Sequence, residues 1–193
     1  METEEKIIRA ALRQFEERGF TAATTKAIAA DAGVAEVTLF RIFGDKQTLF
    51  IRVLQTVAAE FGLMKIPDAA TGDFRRDMQT LCQGLLRHFI RYNALFRMLI
   101  FEVKNHEDIR LVLRDVRGRS LLNMQALAGR YIGTSGAELA GRVECMGNAL
   151  MGASLSYCVF HSTEDANAFI QTHAGMIADA FIRQATDSKE NRQ

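Results

Sequence analysis

Two short helix-period runs meet at Gly33, and that junction constrains the fold more than any other feature of the chain. In the stretch TTKAIAADAGVAEVTLFRIFGDKQTLF, residues 24–50, Thr24 or Thr25 is an N-cap for a first helix whose apolar face is Ile28, Ala29 and Ala32. Gly33 supplies the positive φ that ends a helix and reverses the chain. A second helix, from about Ala35 to Phe43, buries Val34, Leu39 and Phe43 and leaves Glu36, Val37, Thr38, Phe40 and Arg41 on its other faces. Asp45 caps the helix that follows. The small Ala29 permits close approach, Gly33 makes the turn and Leu39 plugs the space between the helices. That is the spacing of a helix-turn-helix, a device for placing one helix in a groove of DNA.

The Thr24-Thr25 pair, Ile28-Ala29, Ala32-Gly33-Val34, Thr38-Leu39, Phe43, Lys46 and Leu49, taken in order, resemble the DNA-binding domain of the TetR (tetracycline repressor) family of bacterial regulators. The likeness covers roughly Glu4 to Phe50, about a quarter of the chain. Three positions depart from the family pattern. Ala35 stands where a Ser usually caps the recognition helix, an exchange that costs about 0.5–2 kcal/mol. Val37 stands where Gly is common, and Phe40 replaces a Tyr whose hydroxyl usually meets a phosphate.

A chain of 193 residues with 48% hydrophobic residues has ample material for one large or two small cores. One proline, no tryptophan and long helix-period runs without β-alternation predict an all-α class. The charged, amphipathic start METEEKIIRAALRQFEERGF is unlike a secretory leader, and three cysteines are too few for a secreted disulfide scaffold, so a cytoplasmic protein is expected. Net charge is only +1, and residues 1–63 hold eight Lys or Arg against nine Asp or Glu. The favourable charge for a polyanion must therefore be local: Lys26, Arg41, Lys46 and Arg52 lie in and around the helix-turn-helix, while Glu2, Glu4, Glu5, Glu16 and Glu17 lie on or at the start of the first helix. Phosphate neutralisation by one head should be modest, so two heads are needed.

The periodicity predicts a first helix over Thr3–Arg18 ended by Gly19, and a bridging helix over 46–63 with Leu49, Phe50, Val53, Leu54, Val57 and Phe61 on one face. A Gly- and Pro-containing linker at 62–72 follows. Further helices are expected near 74–91, 94–104, 107–132, either continuous or broken at Gly118, 136–160 and 164–185, the last capped by Ser162 or Thr163. The domain plan is thus 1–50 for the helix-turn-helix domain, 64–185 for a second helical domain and 186–193 for a disordered tail. Residues 145–163 carry no formal charge, yet Asn148, Ser154, Ser156 and two glycines make a poor membrane span. A helix apolar on several faces must be buried on several faces. With the final helix it suits a four-helix interface between two subunits, with Gly147, Gly152, Ser156, Phe169, His173, Met176 and Ile177 as interface residues. The alternative is a central core helix.

No chemistry competes strongly with this reading. The residues three before His88, His106, His161 and His173 are Leu85, Val103, Cys158 and Ile170, so the Glu-x-x-His pairs of a di-iron bundle are absent. Cys158 and His161 could share a helix face, but no second Cys/His pair completes a zinc site. Neither a Gly-rich phosphate loop nor a nucleophile elbow is present, and no metal, cofactor or enzymatic role is expected. The resemblance implies a homodimeric, ligand-responsive transcriptional regulator, more often a repressor, that reads a palindromic operator and is released by a small, largely hydrophobic effector. Thr38 and Arg41 would contact bases or phosphates, Glu36 a cytosine amine and Val37 a thymine methyl; Thr24, Thr25, Lys26 and Lys46 would hold the backbone, with Phe40 beside them. The resemblance also implies an effector pocket among the middle helices, where His88, Phe89, Tyr92, Phe96, Phe101, Met124, Tyr131 and Tyr157 mix rings with polar tips; each of these is equally a core residue on periodicity alone. The rival readings are a helical module that binds small molecules or proteins but no DNA, and a small-molecule enzyme.

Overall fold

The computed structural model describes residues 2–62, 71–102, 106–132, 136–160 and 165–190, except the side chains of 61–62, 100–102 and 185–190. The expected linker centre, the Ser162/Thr163 cap and His161 lie outside these residues. The described residues form nine helices and no strand: α1 Thr3–Ala22, α2 Thr25–Ala32, α3 Glu36–Phe43, α4 Lys46–Gly62, α5 Phe74–Arg91, α6 Asn93–Glu102, α7 Glu107–Gly129, α8 Ala137–Phe160 and α9 Ala166–Glu190. The all-α class is as the sequence predicts. Gly118 does not break α7, and α9 continues through Glu190 instead of giving way to a disordered tail at 186, since no Gly or Pro interrupts ATDSKE.

The chain divides into two compact units, Met1–Glu60 with Ala94–Val116, and Phe61–Asn93 with Arg117–Gln193. These units are drawn otherwise than the expected division near residue 63. Helix periodicity reports that a face is buried, not what buries it, and α6 with the first part of α7 belongs with the N-terminal residues. There the His106 ring meets Phe20 edge-on at 5.6 Å, and Gln47 Nε2 donates to Asp108 Oδ2 at 3.0 Å.

Within the first unit, Ile7, Ala11 and Phe15 of α1, Ile28 of α2, Leu39 of α3 and Leu49, Phe50 and Val53 of α4 form a water-free core. Phe15, Phe20 and Phe50 cluster with centroids 4.9–5.8 Å apart, geometry that adds to simple area burial. Gly19, at φ 77 and ψ 168, kinks α1 where the sequence places its end. Arg13 grips both carboxylate oxygens of Asp31, at 3.2 and 3.0 Å, and so ties α1 to α2.

In the second unit α5, α8 and α9 pack against one another. Met78, Cys82, Leu86, Leu127, Val143, Leu150, Tyr157, Ile170 and Ala174 form its core. α8, whose residues from Cys145 on carry no charge, is not buried on several faces within the chain: Leu139, Val143, Met146, Leu150, Ser154 and Tyr157 face inward, whereas Cys145, Asn148, Ala149, Gly152, Val159 and Phe160 are exposed.

Asp77 of α5 is the buried charge of this unit, 1% exposed. It accepts from the Thr71 backbone N–H at 2.9 Å, from the Thr71 hydroxyl at 2.7 Å and from the Tyr131 hydroxyl, joining the entry to α5 with the end of α7. Burial pushes its carboxyl up, but the hydrogen bonds from Tyr131 and Thr71, with the Arg76 charge, outweigh burial and hold its pKa below the ordinary aspartate value. A depressed folded-state pKa adds stability that is fully present above the unfolded value, about 3.9, and disappears as pH falls through the folded value. Asp77→Asn should therefore lower stability by about 1.5–3 kcal/mol at pH 7, with the gap to wild type narrowing below about pH 4. Urea midpoints measured across pH check this; a gap that stays constant down to pH 2 would contradict it.

Candidate nucleic-acid interface

The turn between α2 and α3 is closed by backbone chemistry. Thr24 accepts from the Ala27 N–H at 3.1 Å and so caps α2 at its start. At its end Gly33 takes the left-handed conformation, φ 69 and ψ 34. Gly33 N–H donates to Ala30 O at 3.1 Å and Val34 N–H to Ala29 O at 3.0 Å, the paired closure of a Schellman turn. α3 then starts after Ala35, which offers no side-chain cap. Leu39 and Phe43 point into the core, one turn apart. The opposite face carries Val37, Thr38 and Arg41, flanked by Phe40 and Ile42. Asp45 caps α4 by accepting from Thr48 N–H at 2.7 Å.

The expected contact residues separate into two groups. Lys26, Val37, Phe40 and Arg41 are exposed, and Thr38 is half-buried on the same side of α3. The other group is engaged within the protein. Thr25 donates its hydroxyl to Glu36 Oε1 at 2.6 Å, so this threonine and this carboxylate hold α2 and α3 together. Lys46 directs its ammonium at the carbonyls of Phe20, Thr21 and Ala23, at 2.9, 3.3 and 3.1 Å, and lies 4.6 Å from the Phe20 ring centroid. Those three bonds use every proton of the ammonium. In this structure the Lys46 ammonium closes the C-terminal end of α1, where a cation also complements the helix dipole, and does not stand free for a phosphate. Arg52 likewise donates to Glu4 at 2.7 Å.

The expected effector residues are found in several local groups. His88 and Tyr92 lie together at the end of α5, rings 5.0 Å apart, with Phe89 at 6.4 Å from His88. Tyr131 instead stacks on Phe74 at 4.9 Å and spends its hydroxyl on Asp77. Asp77 and His88 are separated by eleven residues of α5, about 16 Å. Met124 and Tyr157 are core residues of the second unit, Tyr157 packing on Phe169 at 5.0 Å. Phe96 belongs to the first unit, and the Phe101 side chain is outside the described residues.

The expected interface residues divide as well. A Cβ on Gly147 would sit 3.0 Å from Leu121 Cδ2, so this glycine serves the approach of α8 to α7 inside the chain. Phe169 is buried, His173 stacks on it at 3.8 Å, and Ile177 packs on the core. Gly152 and Met176 are on the surface and Ser156 is half-buried. Sequence reasoning missed Val159 and Phe160, 64% and 79% exposed at the end of α8. They lie seven and eight residues past Gly152, a spacing that repeats its face.

Among the described residues no group of three His, Cys, Asp or Glu is placed to hold a metal, and no helix is long and apolar enough to cross a membrane. Burial pushes the Cys82 thiol up to about 12, leaving it protonated and unreactive near neutrality.

Residues 7–53 match the family model described as bacterial regulatory proteins, tetR family. A curated relative from Bacillus subtilis, the uncharacterized HTH-type transcriptional regulator YvkB, is 29% identical over 107 residues, which cover 55% of this chain and 56% of the relative. The match thus spans little more than half of that relative's length. Among solved structures, a transcriptional regulator from Rhodococcus sp. Rha1 superposes with a TM-score of 0.79 at 16% identity, covering 94% of this chain and 97% of that one. A TetR transcription regulator from Haloarcula marismortui gives 0.74 at 19% identity, covering 92% and 97%. The fatty acid degradation regulator FadR from Bacillus halodurans gives 0.71 at 17%, covering 90% and 97%. Each shares the fold.

The position of Lys46 makes a direct prediction. Lys46→Ala leaves three helix-end carbonyls without their cation and should cost about 1–2 kcal/mol, seen as a fall of several degrees in the thermal midpoint. An unchanged midpoint would show that the ammonium does not hold α1 in solution.

Proposed function

We propose that this chain, whose residues 7–53 match the tetR family model, is a regulator of that family that binds a near-palindromic DNA operator as a homodimer and represses transcription in the cytoplasm until a small, largely hydrophobic effector releases it. The observation that carries this reading is the outward face of α3. Its inner face is locked by Leu39 and Phe43, its orientation is fixed by the Gly33 turn, and Val37, Thr38 and Arg41 stand away from the core. Thr24, Thr25 and Lys26 bring the start of α2, with its partial positive charge, to the flanking phosphates. Two heads about 34 Å apart would engage successive major grooves.

Exposed apolar and small residues on α8 and α9, namely Gly152, Val159, Phe160 and Met176, supply the surface that a second copy would cover. His88, Phe89 and Tyr92, gathered at the end of α5, are the group best suited to meet an effector. An effector that prefers one head spacing lowers operator affinity by its own differential affinity for the two states.

Charge sets the character of the binding. Of the four cations in and around the helix-turn-helix, Arg52 is paired with Glu4 and Lys46 with carbonyls, leaving Lys26 and Arg41 for phosphates or bases. The nearly neutral head also favours a second reading, a helical module that binds small molecules or proteins and has left DNA behind.

Selection of fragments from the source genome by the purified protein decides between them. Recovery of a palindromic sequence, lost in Arg41→Ala, is the expected outcome; no enrichment at low or moderate salt supports the second reading. With two available cations on each of two heads, the plot of log affinity against log salt should have a slope of about −4. A slope near −8 would mean that other cations leave their partners for the DNA. Gly152→Arg should give monomers in sedimentation, and a stable dimer would place the interface elsewhere.

A further inference from the structure

We infer that this chain selects its operator through thymine methyl groups, read by Val37 in a half-site where Arg41 takes an adjacent guanine; the inference rests on the regulator reading above and specifies the sequence class it binds. α3 has eight residues, and three of them, Val37, Phe40 and Ile42, are large hydrophobic side chains exposed by 74%, 43% and 37%. Isolated exposed hydrophobics need no explanation, but three on two turns leave an unusually apolar reading surface. Val37 lies one turn before Arg41 on the side opposite Leu39 and Phe43, where a docked groove would be.

The polar side chains that could compete for bases are few. Glu36, the acceptor suited to a cytosine amine, is held by the Thr25 hydroxyl at 2.6 Å. Thr38 is half-buried. Arg41 makes no ion pair or hydrogen bond among the described residues, and its fork suits guanine O6 and N7. In the major groove the thymine C5-methyl is the apolar feature of a base pair, so an exposed valine finds its complement there. The Arg41 charge beside it matches the DNA backbone and argues against an apolar protein partner. Because this surface offers little hydrogen bonding, discrimination falls on methyl contacts and on the single arginine.

The test uses the full-length protein and a duplex fragment that it selects from the genome, prepared with thymidine and again with deoxyuridine, which differs by the 5-methyl alone. Losing one buried methyl-sized group changes an equilibrium about fourfold, so wild type should bind the deoxyuridine duplex about fifteenfold more weakly across two half-sites. Val37→Ala should fold normally, since the side chain is 74% exposed, and should bind the two duplexes within about twofold of each other. Equal wild-type affinity for both duplexes overturns the inference, and so does a Val37→Ala protein as sensitive to the methyl as wild type. Failure to select any fragment is a different result: it removes the regulator reading, and this inference with it.

Discussion

Everything proposed for the N-terminal unit depends on the left-handed turn at Gly33. At φ 69 and ψ 34 a side chain would be strained, and the two backbone bonds that close the turn run from Gly33 and Val34 back into α2. The direction in which α3 leaves is therefore set before any side chain of α3 makes contact. Leu39 and Phe43 then fix its rotation about its own axis by being buried, which leaves the opposite face outward. Turn and core together convert a local conformational preference into the presentation of particular side chains.

The polar contacts around this device stabilise it and use up charge in doing so. Arg13 with Asp31, Arg52 with Glu4, Thr25 with Glu36 and Lys46 with three carbonyls tie α1, α2, α3 and α4 to one another. Most of these are exposed pairs, each of which contributes little alone. Their larger consequence is electrostatic. A head with as many acids as bases, and with half of its helix-turn-helix cations already committed, has little long-range attraction for a polyanion. Its recognition must rest on short-range fit, which is consistent with the apolar outward face of α3.

The sequence was legible where structure is encoded within a few residues. The Thr24 cap, the Gly33 turn, the burial of Leu39 and Phe43 and the Asp45 cap involve neighbours in the chain, and each is found where the spacing places it. Partners distant in sequence were not legible. The pattern of Ala94–Val116 marks an apolar face but cannot say that it joins the first unit. Lys46 meets carbonyls 23–26 residues away, and Tyr131 meets Asp77 across 54 residues. Gly147 looked like a residue for a subunit contact because small residues permit any close approach; its neighbour is Leu121 of the same chain. Aromatic residues at helical spacing gave no direction, so a ring such as Tyr157 reads alike whether it lines a pocket or fills a core.

The central claim is that α3 enters the major groove, and methylation interference on a selected fragment tests it most directly. Methyl groups placed on guanine N7 lie in the major groove, whereas those on adenine N3 lie in the minor groove. The account predicts that guanine N7 methylation blocks binding at two clusters about one helical turn apart, while adenine N3 methylation at the same positions has little effect. Binding that is indifferent to guanine N7 methylation but blocked from the minor groove would contradict the assignment of α3 as the reading helix.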